Sequence, residues 1–312
     1  MAMTSNTAAD SAAATSPHRF QGLEDGAVGL RADVLDLYAS LQKLGLLEHV
    51  AELDIKGLTV IPPEKVASPE LIERLRTAVL DVLARRHGVQ ASRQDNLEGE
   101  YNSMPFGKLM SYLLLEDAAF QDMLMNPALQ AIASYRLGKN CCLSSVQAAV
   151  KSRGGPALAL HTDELYVAPP YSQYTTGTNL TVALTDYSAE DGPTIFVPGS
   201  HKLRRQPVGN EGYDQIERVE ARAGSLIVWD GALWHGSQPR RSEGLRLSVI
   251  YYLMRPHMRV QEDYQAEVSA EVLARHPPRF AAMLGKTINL GWKHQGPRLD
   301  GADTLVGSSP YC

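Results

Sequence analysis

Apolar residues recur at helical spacing through the first part of the chain. The clearest helix begins at Ser68-Pro69, where serine can cap the helix and proline suits its first turn, and it ends at a glycine. A second helical face covers 32–44, and residues 116–137 predict two helices separated at Asn126-Pro127. The first part of the chain therefore predicts mainly helices, with one short strand at 58–61.

From about residue 142 the pattern changes to short β-like runs that are separated by Gly, Pro, Asp and Ser. These runs lie at 180–184, 195–197, 226–229 and 245–253. Helical spacing returns at 265–285. Antiparallel strands at this spacing predict an α+β chain whose mainly β core is a sandwich or jelly roll, with helices on one side.

The composition is that of an ordinary globular protein. Hydrophobic residues make up 44% of the 312 residues, and the net charge of −5 gives no broad basic field for a nucleic acid. No apolar run is long enough to predict a membrane span. Residues 1–28 predict a flexible tail without the pattern of a signal peptide, and residues 29–312 predict a single domain.

The cysteines indicate neither disulfides nor zinc. Cys141 and Cys142 are neighbours, which point to opposite faces of a strand and do not bridge, and Cys312 stands alone near the end. The chain has no C-x-x-C pair of the kind that binds zinc. This usage is typical of the reducing cytoplasm, which is where we expect the protein to be located.

One short motif carries the candidate chemistry. His161 and Asp163 are two residues apart, so one strand end would place both side chains on the same face. With His235 they would offer two imidazoles and one carboxylate, the three-ligand pattern of non-heme Fe(II) sites with open positions. The triplet alone is weak evidence, because among nine histidines one His-x-Asp by chance is about an even bet. An isolated histidine such as His235 is more often an ordinary half-buried residue.

The last predicted strand has one unusual residue. Arg246 lies eleven residues after His235, in a strand whose other face is apolar throughout. Burying a charged guanidinium is costly unless it binds an anion. Arg246 and Ser248, which share a face, therefore predict a binding site for a small dicarboxylate, although Arg246 could equally pair with a surface acid.

Two further segments carry a family resemblance. Asp191–Lys202, which reads DGPTIFVPGSHK, and Ala223–Gly236, which reads AGSLIVWDGALWHG, resemble the phytanoyl-CoA dioxygenase-like family of Fe(II)/2-oxoglutarate oxygenases. The resemblance covers roughly residues 105–255. It implies a double-stranded β-helix, a cupin-like jelly roll at about 100–255, supported by N-terminal helices and a C-terminal helical extension. The turn histidine His201 is expected to order its loop and not to bind metal.

The resemblance also implies the chemistry and its cofactors. Fe(II) would be held by the catalytic residues His161, Asp163 and His235, with 2-oxoglutarate as co-substrate and O2 as oxidant. Decarboxylation of 2-oxoglutarate to succinate and CO2 would accompany hydroxylation or another oxidation of a small, largely apolar organic substrate. Halogenating relatives replace the carboxylate ligand by a small residue, so Asp163 indicates hydroxylation or a related oxidation.

Other residues are assigned to the co-substrate by the same resemblance. Arg246 and Ser248 would bind the distal carboxylate of 2-oxoglutarate. Lys108, Gln147 and Thr181 align with positions that face the co-substrate. Lys108 could equally be an exposed lysine, the two strand residues could point to solvent, and the family often has an aromatic residue where this chain has Thr181.

A loop after the triplet is a candidate lid. Residues 164–179 are too long and polar to be core, and they follow the ligands directly; an ordinary surface loop is the alternative. Tyr166 and Tyr174 in this loop, with Met104 and Phe106, would suit a mostly apolar substrate.

Two other functions remain open from the sequence. A non-catalytic, cupin-like sensor module would keep the fold and bind the metal and 2-oxoglutarate without turnover. A zinc hydrolase could use the same three ligands and would have no role for Arg246. We expect a small-molecule partner, neither nucleic acid nor membrane, and a monomer or homodimer.

Overall fold

The computed structural model describes residues 32–165, 167–286, 292–293 and 296–297. Its larger sheet, called the main sheet, is antiparallel and has the strand order β1-β8-β5-β10-β3-β2. These strands are β1 (Leu58–Ile61), β2 (Lys108–Met110), β3 (Cys142–Lys151), β5 (Gly177–Ala183), β8 (Leu226–Asp230) and β10 (Arg246–Met254).

A second sheet, called the small sheet, has the strand order β4-β9-β6-β7. Its strands are β4 (Leu158–His161), β6 (Thr194–Phe196), β7 (Glu217–Arg218) and β9 (His235–Ser237). Phe196 of this sheet packs with Ile227 and Trp229 of the main sheet, so the two sheets enclose a common interior. A separate pair, β11 (Trp292–Lys293) and β12 (Gly296–Pro297), forms a short antiparallel ladder. The predicted jelly-roll core with supporting helices is confirmed.

Helices precede and follow the strands. They are α1 (Ala32–Lys43), α2 (Leu47–Lys56), α3 (Pro69–His87), α4 (Ala118–Leu124), α5 (Pro127–Leu137), α6 (Tyr264–Glu267), α7 (Ala270–Ala274) and α8 (Pro278–Met283). The hydroxyl of Ser68 accepts a hydrogen bond from the amide of Leu71 and begins α3, and Gly88 ends it at φ +69°. The side chain of Asn126 caps α5 in the same way. Among the described residues, no helix combines the length and apolar character that a membrane span requires.

Strand β10 shows how the sequence pattern builds the two faces of the main sheet. Leu247, Val249 and Tyr251 are fully buried in the large apolar core that also contains helical residues such as Leu75 and Phe120. The alternate residues Arg246, Ser248, Ile250 and Tyr252 project the other way. The outer face is therefore covered by helices, and the inner face is left to line the interior between the sheets.

The observed elements differ from the predicted ones in three places. The short strand Leu58–Ile61 is an edge strand of the main sheet, paired with β8, and so extends the β core beyond 100–255. Helix Leu47–Lys56 lies in a stretch with no prediction, and the stretch predicted as helical at 265–285 forms three short helices. The last of these starts after Pro277, which has no amide hydrogen to continue the helix before it.

Some sequence predictions concern residues that the structure does not describe. The tail at 1–28 and Cys312 lie outside the described residues. Cys141 and Cys142 are free thiols.

Candidate metal centre and co-substrate site

Strands β4 and β9 bring two histidines together. Their register pairs His161 with His235, and the centroids of the two imidazole rings are 4.3 Å apart. Asp163 follows just after β4, and its Oδ1 lies 3.9 Å from Nε2 of His161 and 3.7 Å from Nε2 of His235. The three candidate ligand atoms lie within 4.8 Å of one another, so the group could hold a metal ion.

The remaining ring nitrogens are already hydrogen-bonded. Nδ1 of His161 lies 2.9 Å from the carbonyl oxygen of Ala159, and Nδ1 of His235 lies 3.0 Å from that of Leu233. A carbonyl only accepts, so each Nδ1 donates, and the lone pair of each neutral ring resides on Nε2. Backbone oxygens thereby turn both metal-binding nitrogens toward Asp163.

Asp163 is oriented by two side chains of the main sheet. Its Oδ2 accepts hydrogen bonds from Nδ2 of Asn179 at 2.5 Å and from Nε1 of Trp229 at 3.1 Å. These two donors are direct partners in the β5–β8 register, so their side chains share the inner face. Both donors occupy the same carboxylate oxygen, which leaves Oδ1 toward the histidines. The sequence prediction missed Asn179 and Trp229, because their roles depend on strands distant in the chain.

Burial favours the metal-binding form of His235. Removal from water lowers the pKa of this imidazole, against the opposing effect of the Asp163 carboxylate. The neutral ring is the form that binds a metal. The side chains of His161 and Asp163 keep 26% and 24% of their exposure, so the group is open to solvent on one side.

Arg246 is buried on the inner face and has no acidic partner among the described residues. It is 5% exposed, its Nη1 donates to the carbonyl oxygen of Gly192, and its guanidinium carbon lies 4.7 Å from the ring centroid of Tyr187. Its Nε is buried and has no hydrogen-bond partner among the described residues. A buried guanidinium with an unused donor fits an incoming carboxylate.

The main sheet also brings other predicted co-substrate residues to the inner face. Ser248 pairs with Ala149 on one side and Ala183 on the other, so small residues surround it. Ile250 pairs with Gln147 and Thr181, which places both polar side chains one row further along the same face. Oγ1 of Thr181 is buried and, within the described part of the chain, has no partner.

Lys108 is not brought to this face. In the register it pairs with Val150, whose fully buried side chain belongs to the core under the helices. Its Nζ instead lies 5.3 Å from the ring centroid of Tyr101. Neighbouring residues on a strand alternate between faces, so a position one residue away would have faced the interior. The predicted contact of Lys108 with the co-substrate has no support in this arrangement.

The candidate substrate residues are tied less directly to the candidate metal centre. Tyr166 lies outside the described residues. Tyr174 is 53% exposed, with its ring centroid 4.8 Å from the guanidinium carbon of Arg255. Met104 is 52% exposed and Phe106 is half-buried. Within the described part of the chain, no recorded hydrogen bond or ring contact joins Tyr174, Met104 or Phe106 to the three candidate ligands.

The predicted lid is shorter than 164–179. Strand β5 begins at Gly177, so Asn179 belongs to the sheet and not to the loop. Within the loop, Tyr171 is buried, and its hydroxyl lies 3.2 Å from Oγ1 of Thr162. His201 is buried in a 3₁₀ turn (Ser200–Leu203) away from the candidate ligands, where it packs closely on Gly57.

The family model of phytanoyl-CoA dioxygenase (PhyH) matches residues 53–248. The chain belongs to the phytanoyl-CoA dioxygenase family. The resemblance seen over 105–255 is confirmed, and the matched region begins before β1, in agreement with the place of that strand in the main sheet.

Curated relatives include several fungal dioxygenases. Dioxygenase af480 of Aspergillus fumigatus is 31% identical over 175 residues, which are 55% of this chain and 57% of that protein. Dioxygenase olcK of Penicillium canescens is 26% identical over 233 residues, 69% of this chain and 73% of that one. The match to af480 thus spans little more than half of its length.

Solved structures share the fold. EvdMO1 superposes with a TM-score of 0.53 at 26% identity, over 67% of this chain and 49% of that chain. HygX from Streptomyces hygroscopicus, solved with nickel and 2-oxoglutarate bound, has a TM-score of 0.54 at 20% identity, over 72% and 92%. At that identity, the likeness to HygX shows the fold alone.

Proposed function

We propose that the protein is an Fe(II)- and 2-oxoglutarate-dependent dioxygenase that oxidises a small organic molecule and converts 2-oxoglutarate to succinate and CO2. The observation that carries this proposal is the pairing of two features on one interior. The ligand atoms of His161, Asp163 and His235 converge, and the buried Arg246 lacks an acid among the described residues. Membership of the phytanoyl-CoA dioxygenase family supports it.

In this proposal the three converging atoms hold the iron. The donor set of two imidazoles and one carboxylate suits Fe(II) and leaves positions for further ligands. When bound, the iron would activate O2 for oxidation, with 2-oxoglutarate supplying two of the electrons. The carbonyls of Ala159 and Leu233 keep both rings turned inward, and Asn179 with Trp229 keeps Oδ1 of Asp163 free for the metal.

The co-substrate would be held at its far end by Arg246. The planar guanidinium can donate two parallel hydrogen bonds to a carboxylate, and Tyr187 supports it from one side. The hydroxyl of Ser248 lies on the same face, one pleat away, and could donate another. Burial strengthens these bonds, because water is excluded from the guanidinium.

The substrate is proposed only as a class. We infer a small organic molecule that enters on the open side of the candidate metal centre, where His161 and Asp163 stay partly exposed. A mostly apolar substrate, the lid function of the loop after Asp163, and a cytoplasmic location remain predictions.

Turnover of 2-oxoglutarate tests the function. The protein is loaded with Fe(II) and 2-oxoglutarate in the absence of oxygen. When oxygen is admitted, it should release succinate, and the release should be faster when a matching substrate from a broad panel is present. The zinc-loaded protein is the matched control and should release none. Binding of metal and 2-oxoglutarate with no turnover across the panel would favour the sensor, and hydrolysis by the zinc form without oxygen would favour the hydrolase.

A further inference from the structure

A second buried cation lies beside Arg246. Lys151, the last residue of β3, is completely buried and is the direct partner of Arg246 in the β3–β10 register. Directly paired residues of neighbouring strands project to the same face of a sheet. Both cations therefore enter the interior at the end where the distal carboxylate of 2-oxoglutarate is proposed to bind.

No acid balances this pair within the described part of the chain. Arg240, the other guanidinium that acts on Lys151, is already held by Asp191 at 2.8 Å. Among the residues whose placement is described, the ammonium of Lys151 donates only to neutral oxygens, those of the Pro156 carbonyl (3.2 Å), the Ser237 hydroxyl (3.2 Å) and the Gln238 carbonyl (2.8 Å). Two buried cations without an anion are unfavourable until a negative charge joins them.

Ser237 links Lys151 to the candidate metal centre. It lies two residues after His235 on β9, and its oxygen accepts the hydrogen bond from Lys151, so its own hydrogen is free to be donated. Between the two cations and the candidate ligands, the inner face carries a row of small side chains. This row consists of Ala149, Ser248 and Ala183. This row carries less side-chain bulk than the next one, which holds Ile250, Gln147 and Thr181.

We propose that Lys151 is a second cation of the co-substrate site, which neutralises the distal carboxylate together with Arg246 and orients Ser237 toward it. This inference rests on the proposed function and names a residue that completes the site. It implies selection for an acid at the far end of the keto acid, because an uncharged end would leave both cations unbalanced.

The environment of Lys151 adds a consequence for protons. Burial, and then the nearby guanidinium groups of Arg246 and Arg240, lower the pKa of this ammonium to about 7. The charged groups that act on it are the guanidinium groups of Arg246 and Arg240, and Asp191 pairs with Arg240. The uncharged hydroxyl of Ser237 accepts its hydrogen bond, and Asn102 lies near its side chain beside Gly155. In protein without bound co-substrate, about half of the Lys151 side chains would then be neutral amines at pH 7, and most of them at about pH 8. A bound carboxylate raises this pKa, so binding takes up a proton, and affinity falls as the pH rises above 7.

Calorimetry can count this proton. The full-length protein is loaded with Mn(II) and titrated with 2-oxoglutarate at pH 8 in two buffers of different ionisation enthalpy. We expect uptake of nearly one proton with 2-oxoglutarate and none with 2-oxopentanoate, which has a methyl group in place of the distal carboxylate. Equal, measurable proton uptake for the two ligands would overturn the proposal without the need for any variant, because the proton would then not depend on the distal carboxylate.

Variants then assign the proton to its residue. Lys151→Met should weaken 2-oxoglutarate binding by about tenfold to a hundredfold, leave 2-oxopentanoate binding unchanged, and abolish proton uptake. Lys151→Arg should keep much of the affinity without proton uptake, because a guanidinium stays protonated. Lys108→Met is the matched control, since this lysine lies on the opposite face of the neighbouring strand, and it should change nothing.

The outcomes separate this inference from the function. The Lys151→Met protein could melt at a lower temperature and still prefer 2-oxoglutarate over 2-oxopentanoate as strongly as the wild type. That result would mean that Lys151 stabilises the fold and does not bind the co-substrate. Binding that depends on Arg246 but not on Lys151 would overturn only this inference. A wild-type protein that binds Mn(II) but no 2-oxoglutarate would overturn the proposed function as well.

Discussion

The two ends of the interior between the sheets are built differently. At the candidate metal centre, both histidine Nδ1 atoms and the outer oxygen of Asp163 are hydrogen-bonded, so only the ligand atoms are left free. At the other end, within the residues that the structure describes, Nε of Arg246 has no hydrogen-bond partner and Lys151 has only neutral ones. The side chains of the metal end are held in place before anything binds. The charges of the cationic end are balanced only when an anionic ligand binds.

This difference predicts different costs for substitutions. At the metal end, the protein has already oriented its ligands, so each change should act on metal binding and turnover. At the cationic end, the site holds unbalanced charge, so each change should act on the affinity for the dicarboxylate and can even stabilise the protein without ligand.

Removing a ligand should have the largest effect. His235→Ala takes one of three donor atoms from the candidate centre, and we expect loss of tight metal binding and of succinate release. Metal content after dialysis and the turnover assay measure both effects. His257→Ala, which changes an exposed histidine, is the control. A His235→Ala protein that retains one metal per chain and normal turnover would show that the centre lies elsewhere.

Arg246 comes next. Arg246→Leu removes one partner of the proposed buried ion pair, which costs on the order of 3–5 kcal/mol and raises the 2-oxoglutarate requirement more than about a hundredfold. Metal binding should stay intact, which separates this end from the other. Arg246→Lys should restore binding only in part, because a point charge does not reproduce the guanidinium fork. An unchanged 2-oxoglutarate requirement in the leucine variant would remove the main support for the oxygenase.

The donors to Asp163 should have a smaller effect on the metal end. Trp229→Phe keeps an aromatic side chain but removes the Nε1 hydrogen bond, and Asn179→Ala removes the other donor. We expect each to lower metal affinity or turnover by about ten- to a hundredfold, with little change in the preference for 2-oxoglutarate over 2-oxopentanoate. Metal titration of both variants checks this, and wild-type affinity in both would mean that Asp163 needs no such support.

A change remote from both ends should alter stability alone. Ser68→Ala removes the cap of α3 and should lower the free energy of unfolding by about 0.5–1 kcal/mol. Denaturant unfolding measures this loss, while turnover and 2-oxoglutarate affinity should match the wild type. A shift in either would mean that α3 is coupled to the interior.

Local rules predicted much of the fold and part of the candidate site. The caps at Ser68 and Asn126 involve residues within three positions, so the sequence alone locates them. The alternation along β10 likewise predicted that Arg246 faces away from the apolar core. The proposed roles of His161 and Asp163 required only that residues two apart share a face.

The remaining features depend on which strands become neighbours. Lys151 ends strand β3 just as Arg246 begins strand β10, and the argument from the cost of burial applies equally to it. Its importance appears only when β3 and β10 are paired. Asn179 and Trp229 lie far apart in the chain and meet Asp163 only through the β5–β8 register. Lys108 is the reverse: the family resemblance assigned it to the co-substrate, but its strand register places it on the outer face of the sheet.

Strand β1 shields more than its length suggests. Its four residues cover the free side of β8, whose run Leu226–Trp229 is wholly apolar and would otherwise offer bare amides and carbonyls to another chain. A truncated protein that starts after Ile61 would therefore expose the unpaired backbone of β8, and we expect it to self-associate through that strand. The same truncation would loosen the strand that carries Trp229, so poor solubility and weak metal retention should appear together.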